Sequence, residues 1–129
     1  MRSRDTLLRL HRFKHDERRR QVADIEVMIA DFLKKQDELE AHIRMEESRS
    51  GVTDPGHFNY STAAKASRSR RDNLLRSIGE LKDQLEAAKS ALSEEETELR
   101  KIELLAEKEN DTRVDVTAAP AQMSETHAR

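Results

Sequence analysis

The sequence contains no cysteine and no tryptophan, and its 129 residues include only three glycines, two prolines and four aromatic side chains. Without cysteine the chain has no disulfide, no thiolate metal site and no cysteine nucleophile. A β-sheet protein needs more turn residues and more β-branched runs than this. Since no run approaches 18 apolar residues, the sequence predicts no membrane-spanning segment.

Charged side chains are abundant instead, at 39% of the chain against 35% hydrophobic residues, with a net charge of -2. This composition is too polar for an ordinary globular core and fits either a disordered chain or long helices that bury one narrow stripe. The near-neutral balance argues against a general nucleic-acid binder. The arginine-rich start is similar to an organellar transit peptide, but Asp5, Asp16 and Glu17 count against that interpretation.

Apolar residues recur every 3.5 positions along two stretches, which is the pattern of a coiled-coil seam. In the second stretch the repeat is Leu74, Ile78, Leu81, Leu85, Ala88, Leu92, Glu95, Leu99, Ile102 and Ala106. In the first stretch it is Leu8, His11, His15, Arg18, Val22, Ile25, Ile29, Phe32, Gln36, Leu39 and Ile43. The first seam is therefore good in its middle and poor near the N-terminus.

The glycines and prolines divide these stretches and set the predicted boundaries. Ser3 is a candidate N-cap, and Gly51 can supply the left-handed residue that ends a helix. Asp54-Pro55-Gly56 is the predicted turn, in which Gly56 takes a positive φ; alternatively, Asp54 caps one short helical turn. The predicted fold is all-α, a long antiparallel two-helix coiled-coil hairpin with a disordered C-terminal tail. Its predicted parts are one domain over 1–110, with a helix at about 4–47, a turn at about 48–61 and a helix at about 62–109, and a disordered tail over 111–129.

Antiparallel pairing predicts that facing seam residues have numbers with a constant sum, here 110. That register places apolar residues opposite each other, as in Ile29 with Leu81, and sets His15 opposite Glu95. Charge supports it independently, because residues 1–30 carry net +3, 31–47 net -3, 62–79 net +4 and 80–109 net -5. A parallel homodimer through either helix would place like charges together, so the sequence favours a monomeric hairpin when the protein is free.

Two-helix hairpins offer no concave, partly dry site, so we expect no enzyme activity and no cofactor. His11 and His15 have the i, i+4 spacing that can bind a divalent metal, although seam positions tolerated beside Glu95 are the simpler interpretation. Two arginine clusters could contact nucleic acid, but no base-stacking aromatic lies among them and acidic stretches face them. These clusters are Arg18, Arg19 and Arg20, and Arg68, Arg70 and Arg71.

Several apolar residues near the two ends of the chain lie outside the seam. They are Leu7, Leu10 and Phe13 in the first helix and Leu104 and Leu105 in the second, with Arg9, Arg12, Arg19 and Arg20 around them. Either the local core is wider where the 3.5 repeat slips, or another protein covers these side chains. His57, Phe58 and Tyr60 form a second candidate surface at the tip, where packing over the turn is the simpler explanation.

Three strings in this order resemble the flagellar FliJ family of the alphaproteobacterial kind. They are SRDTLLRLHRFKHDERRRQVADIE, DPGHFNY and SRRDNL, and the resemblance covers about residues 1–109. FliJ proteins are soluble coiled-coil hairpins of the flagellar type III export apparatus, similar in shape to the central-stalk subunit of rotary ATPases.

The resemblance implies a non-enzymatic stalk or coupling factor whose terminal end enters the ring of the hexameric export ATPase. It further implies contacts with a membrane protein of the export gate and with export chaperones, at a cytoplasmic location next to the membrane at the flagellar base. A generic coiled-coil adaptor or a secretion chaperone-escort shares the hairpin, and a basic nucleic-acid-associated hairpin is a third interpretation.

Overall fold

The computed structural model contains two long helices, which confirms the all-α prediction. Helix α1 covers Arg2–Ser50 and helix α2 covers Thr62–Ala128. The structure describes residues 3–111 with their side chains, and within that range it has no strand. The two helices pack against each other. Of the predicted disordered tail only Asp111 falls in this range, and the side chains of residues 112–129 lie outside it.

Helix α1 is longer at both ends than predicted. Since nothing before Asp5 interrupts helical geometry, the helix begins at Arg2, and Ser3 lies inside the first turn rather than at the N-cap. At the other end α1 continues past the predicted residue 47 to Ser50. Gly51 then ends it with a φ of 74°, and its backbone N–H donates to the Glu47 carbonyl at 2.9 Å. The predicted left-handed glycine is confirmed.

The linker over residues 51–61 is held by short-range hydrogen bonds. One Asp54 side-chain oxygen accepts from the Gly56 N–H at 3.0 Å, and the Asp54 carbonyl accepts from the His57 N–H at 3.0 Å. These bonds confirm the turn at Asp54-Pro55-Gly56. The predicted positive φ at Gly56 is wrong, because Gly51 alone has one among the described residues. The Asp54 carboxylate therefore holds the turn without a left-handed glycine.

Helix α2 starts where a serine satisfies its first free N–H groups. The Ser61 hydroxyl accepts from the Ala64 N–H at 3.1 Å, the bond expected of an N-cap residue. The Tyr60 N–H donates to the His57 carbonyl at 3.0 Å, so a second turn leads directly into this cap. The predicted start of the second helix near Ser61 is confirmed.

Burial follows the predicted 3.5-residue repeat along both helices. Every predicted seam position of α2 is buried or half-buried, and in α1 the single exposed seam position is Arg18. A coiled-coil seam is thus the source of the core, as the pattern predicts. The buried apolar side chains are Ile43, Tyr60, Ala64, Ile78, Leu81 and Ile102.

Packing divides the chain into two units. The terminal unit comprises residues 1–19 and 90–129, and the loop unit comprises residues 20–89. Within each unit the helices run antiparallel, as Arg4 pairs with Glu109 in the terminal unit and Glu40 pairs with Arg71 in the loop unit. Both pairs join a predicted positive segment to a predicted negative one and lie close to the predicted sum of 110.

Candidate partner-binding surfaces

Ion pairs connect the two helices of the terminal unit along its edges. The Arg4 guanidinium lies 2.7 Å from a Glu109 carboxylate oxygen, and the same Arg4 nitrogen donates to the Leu105 carbonyl at 3.4 Å. Arg12 lies 3.7 Å from Glu103. Each of these pairs is about half exposed, so each contributes about 0–1 kcal/mol and specifies orientation more than stability.

The polar seam residues of the terminal unit form pairs other than the predicted one. His11 Nδ1 lies 2.6 Å from Glu95 Oε1, with both side chains mostly buried, while His15 Nε2 lies 3.3 Å from Glu96 Oε2. The predicted pairing of His15 with Glu95 is therefore replaced. Side chains of a coiled coil interlock rather than meet head-on, so Glu95 selects the histidine one turn away.

The same two histidines were candidates for metal binding. Among the residues that the structure describes, no three His, Asp or Glu side chains group as a metal site. Each ring instead has a carboxylate of α2 within 3.3 Å. This geometry agrees with the seam interpretation, in which histidine and glutamate satisfy one another at a partly buried position.

The apolar residues predicted to lie outside the seam are exposed to solvent. Their exposed fractions are 42% for Leu7, 46% for Leu10, 60% for Phe13, 57% for Leu104 and 50% for Leu105. A wider local core would have buried them, whereas single surface leucines need no explanation. Among residues 3–111 no element covers these five side chains, so they are available to another protein.

These five residues do not share one face. Leu104 lines an open groove of about 620 Å³ together with the seam residues Leu8 and Leu99. Leu7, Leu10, Phe13 and Leu105 are not among the groove residues. The groove also carries both signs of charge, from Arg12, Arg100, Glu96, Glu103 and Glu107. The sequence predicted that all five residues form one apolar cluster. In the structure Leu104 lies in the groove and the other four residues lie outside it.

The arginines predicted to surround these apolar residues are likewise not all in one place. Arg9, Arg12 and Arg19 are exposed in the terminal unit, and Arg12 is engaged by Glu103. Arg20 is also exposed but belongs to the loop unit. The terminal unit therefore combines exposed cations on α1 with exposed apolar side chains.

At the tip, the three predicted residues have different environments. Tyr60 is buried, and its hydroxyl donates to a Glu47 carboxylate oxygen at 2.7 Å. Burial first, and then this bond and the charge of Glu47, raise the pKa of Tyr60 above its usual value. His57 stacks on Phe58 with ring centroids 4.7 Å apart, yet Phe58 remains 89% exposed. Packing over the turn explains Tyr60 and is wrong for Phe58.

A buried polar network next to the tip was not predicted. Glu46 is 6% exposed, and its Oε2 accepts from Arg49 at 3.0 Å and from the Ser61 hydroxyl at 3.2 Å. His42 Nδ1 lies 2.7 Å from the hydroxyl of Ser67, which is 2% exposed. The signal was available in the seam, since Glu46 follows Ile43 by three residues and Ser67 precedes Leu74 by seven.

Ser67, His42 and Glu46 have the residue types of a hydrolase triad, and their geometry argues for a structural role. His42 Nε2 is 3.8 Å from Glu46 Oε1, beyond hydrogen-bond distance. A nucleophilic hydroxyl must also be reachable by substrate, and Ser67 is buried between two helices. These residues satisfy one another's polar atoms in the packed seam, which their burial requires.

The second arginine cluster is partly neutralised within the loop unit. Arg71 is half-buried and contacts Glu40 at 3.3 Å and Asp72 at 3.1 Å. Burial by itself would lower the pKa of Arg71, but its bonds to Asp72 and the charge of Glu40 outweigh burial and raise the pKa. Arg71 therefore serves the interface between helices, and Arg70 is exposed.

Comparison with known proteins gives no match. No family model, no curated protein and no solved structure is similar to this chain. Among the described residues, neither helix is long and apolar enough to cross a membrane. Any functional interpretation therefore depends on the residues and on the surfaces that they form.

Proposed function

We propose that this protein is a non-enzymatic central-stalk or coupling factor of the flagellar protein export ATPase, in the manner of the FliJ family. The observation that carries the proposal is the set of exposed apolar residues in the terminal unit, above all Leu10 and Phe13. In the FliJ-like arrangement this unit enters the ATPase ring, which covers the side chains that residues 3–111 leave exposed.

The chemistry of the terminal unit suits a stalk inside a ring. A stalk contacts several subunits that differ in conformation, so its contacts must be individually weak to avoid trapping one state. Isolated leucine and phenylalanine side chains beside Arg9 and Arg19 provide such contacts, because apolar burial is non-directional and exposed cations are screened by salt. The protein then modulates ATP hydrolysis without reacting itself.

The remaining partners of the proposal are the export gate and the export chaperones. Exposed residues of the loop unit, including Phe58 at the tip, are available for them. The proposed location is at the base of the flagellum, peripheral to the membrane and on its cytoplasmic side. A generic coiled-coil adaptor or a chaperone-escort differs from this proposal in needing no ATPase.

The proposal is tested by ATPase stimulation with variants of the full chain. Leu10→Glu combined with Phe13→Glu should reduce stimulation of the export ATPase of the same organism at least tenfold, because both side chains must be buried in the ring. Arg9→Glu combined with Arg19→Glu should reduce it less, since exposed charges contribute little each.

Leu33→Glu is the matched control, since Leu33 is 42% exposed and lies in the loop unit. It should leave stimulation unchanged, and circular dichroism should show equal helicity for all variants. Equal stimulation by the Leu10→Glu, Phe13→Glu chain and the natural chain would refute the stalk. Capture of chaperones without the ATPase from a flagellated host would support the adaptor interpretation instead.

A further inference from the structure

The two helices of the terminal unit carry opposite charge. Residues 3–19 of α1 have net +3, and residues 90–111 of α2 have net -5. The interhelical pairs, such as Arg4 with Glu109, use only part of this charge. Each helix of this unit also carries exposed charges of the other sign, such as Asp16 on α1 and Lys101 on α2, so the contrast between the helices is one of net charge.

One flank of the terminal unit carries leucines on both helices. Leu7 and Leu105 each stand one position before a seam residue, Leu8 and Ala106. In an antiparallel coiled coil these positions face each other along the same flank. The Arg4 contact with the Leu105 carbonyl confirms that residue 105 is level with the first turns of α1.

Leu10 extends this flank, because residues three apart are neighbours on a helix surface. We name Leu7, Leu10 and Leu105 the leucine flank. They are 42%, 46% and 50% exposed. Leu104 points elsewhere, since it lines the groove with Leu8 and Leu99.

We propose that the leucine flank is covered by the same flank of a second copy of this chain. A twofold axis parallel to the helices places α1 of one terminal unit against α2 of the other at the same level. Leu7 and Leu10 then meet the second copy's Leu105, and each positive helix lies beside a negative helix of the other copy.

Charge selects this arrangement over the other twofold packing of the same flank. An axis across the helices would place α1 on α1 and α2 on α2, so net +3 would face net +3 and net -5 would face net -5. Repulsion between like charges disfavours that packing. With the proposed axis the two α1 helices lie diagonally across the dimer and do not touch. Like charges are therefore not placed together, as they would be in a parallel homodimer through one helix.

The interface is small, with three leucines from each copy, so the dimer is weak. This replaces the sequence-based expectation of a monomer with a reversible equilibrium. Because the stalk proposal uses the same unit, ring binding and dimerisation compete. In the dimer the leucine flank is covered until the ring is present.

Sedimentation equilibrium of the full chain from about 1 to 500 μM at low salt tests the inference, a range that spans weak association. The natural chain should shift from monomer to dimer, and Leu10→Glu with Leu105→Glu should weaken dimerisation at least tenfold. Leu33→Glu serves as the matched control and should dimerise normally. A natural chain that is monomeric throughout overturns the inference, as does a double variant that dimerises like the natural chain.

Since the chain has no cysteine, single-cysteine variants test the axis. Leu7→Cys and Leu105→Cys chains are mixed in equal amounts and oxidised, and the disulfide-linked products are separated. The proposed axis predicts that the mixed product exceeds the half expected for random pairing. A random mixture, or an excess of the two homodimers, overturns the axis.

These tests fail separately from the stalk proposal. ATPase stimulation is measured at a chain concentration below the dimer range, where only monomer is present. A monomeric natural chain whose stimulation is lost in Leu10→Glu, Phe13→Glu overturns the dimer and assigns the surface to the ring. A dimer that never stimulates the ATPase supports the inference and removes the stalk.

Discussion

Gly51 and Gly79 have opposite roles at the scale of the residue. Gly51 has a φ of 74° at the end of α1, whereas Gly79 lies inside α2 with open space around an added Cβ. Gly51→Ala should lower the free energy of unfolding by about 1–2 kcal/mol because an L side chain is strained there. Gly79→Ala should raise it by about 0.5–1 kcal/mol through helix propensity.

Urea unfolding followed at 222 nm measures both glycine variants, and each serves as the control for the other. Equal effects of the same sign would contradict the assigned conformations. The urea concentration at the midpoint should fall for Gly51→Ala and rise for Gly79→Ala. The slope of the free energy of unfolding against urea concentration should stay the same.

Tyr60 gives the fold a dependence on alkaline pH. Its pKa is raised in the folded chain by burial and by the bond to Glu47. A raised pKa contributes stability that is fully present below the unfolded value of about 10. This stability is lost as the pH rises through the folded pKa, since the folded state disfavours the phenolate.

Thermal unfolding between about pH 9 and pH 11.5 measures this dependence, since the unfolded tyrosine pKa lies in that range. The natural chain should lose more stability across this range than Tyr60→Phe, which has no ionising group at this position. Lysine deprotonation affects both chains equally. Parallel curves for the two proteins would show that the Tyr60 hydroxyl does not couple to folding.

At the scale of the element, the pairing of His11 with Glu95 is a polar layer of the seam. His11→Leu alone should destabilise the fold by about 1–3 kcal/mol, because Glu95 loses its partner at a partly buried position. The double change His11→Leu, Glu95→Leu should restore or exceed natural stability, since apolar pairs often replace buried ionic pairs without loss.

A double-mutant cycle with Glu95→Leu as the second single variant isolates the coupling between the two side chains. A coupling near zero would mean that the 2.6 Å contact contributes nothing beyond packing. Chemical unfolding at about pH 7 is the measurement, with His15→Leu as a comparison in the neighbouring pair.

The helices and their seam were predictable from the sequence because a 3.5-residue apolar repeat leaves one way to bury a narrow stripe. The pairing of His11 with Glu95 was not, since the constant-sum rule ignores how side chains interlock across one turn. The network of Glu46, Ser61 and Ser67 was also missed, because a polar residue in a seam looks like a defect until its partner is known. The exposure of Phe58 was not predictable either, because it depends on the conformation of the turn.

At the scale of the whole molecule, each helix needs the other to cover its stripe. Separate peptides for residues 3–50 and 62–111 should each be only partly helical, because tertiary packing supplies most helix stability. A mixture of the two should gain helicity at 222 nm and form a one-to-one complex at low salt.

High salt should weaken this complex, as the interhelical ion pairs are partly exposed. Each peptide alone serves as the control at the same total concentration. A residue 3–50 peptide that is as helical alone as in the mixture would contradict mutual stabilisation. The orientation follows from labels at residues 40 and 71, which the Glu40 contact with Arg71 places together.

The Ser61 hydroxyl is shared between the first turn of α2 and a carboxylate of α1. Unwinding that turn deprives Glu46 of a donor in surroundings with little water, so the loss is felt on both helices at once. Fraying of α2 from this end therefore also destabilises the end of α1. The loop unit should open as one cooperative step, in which the start of the second helix and the last turns of the first are released together.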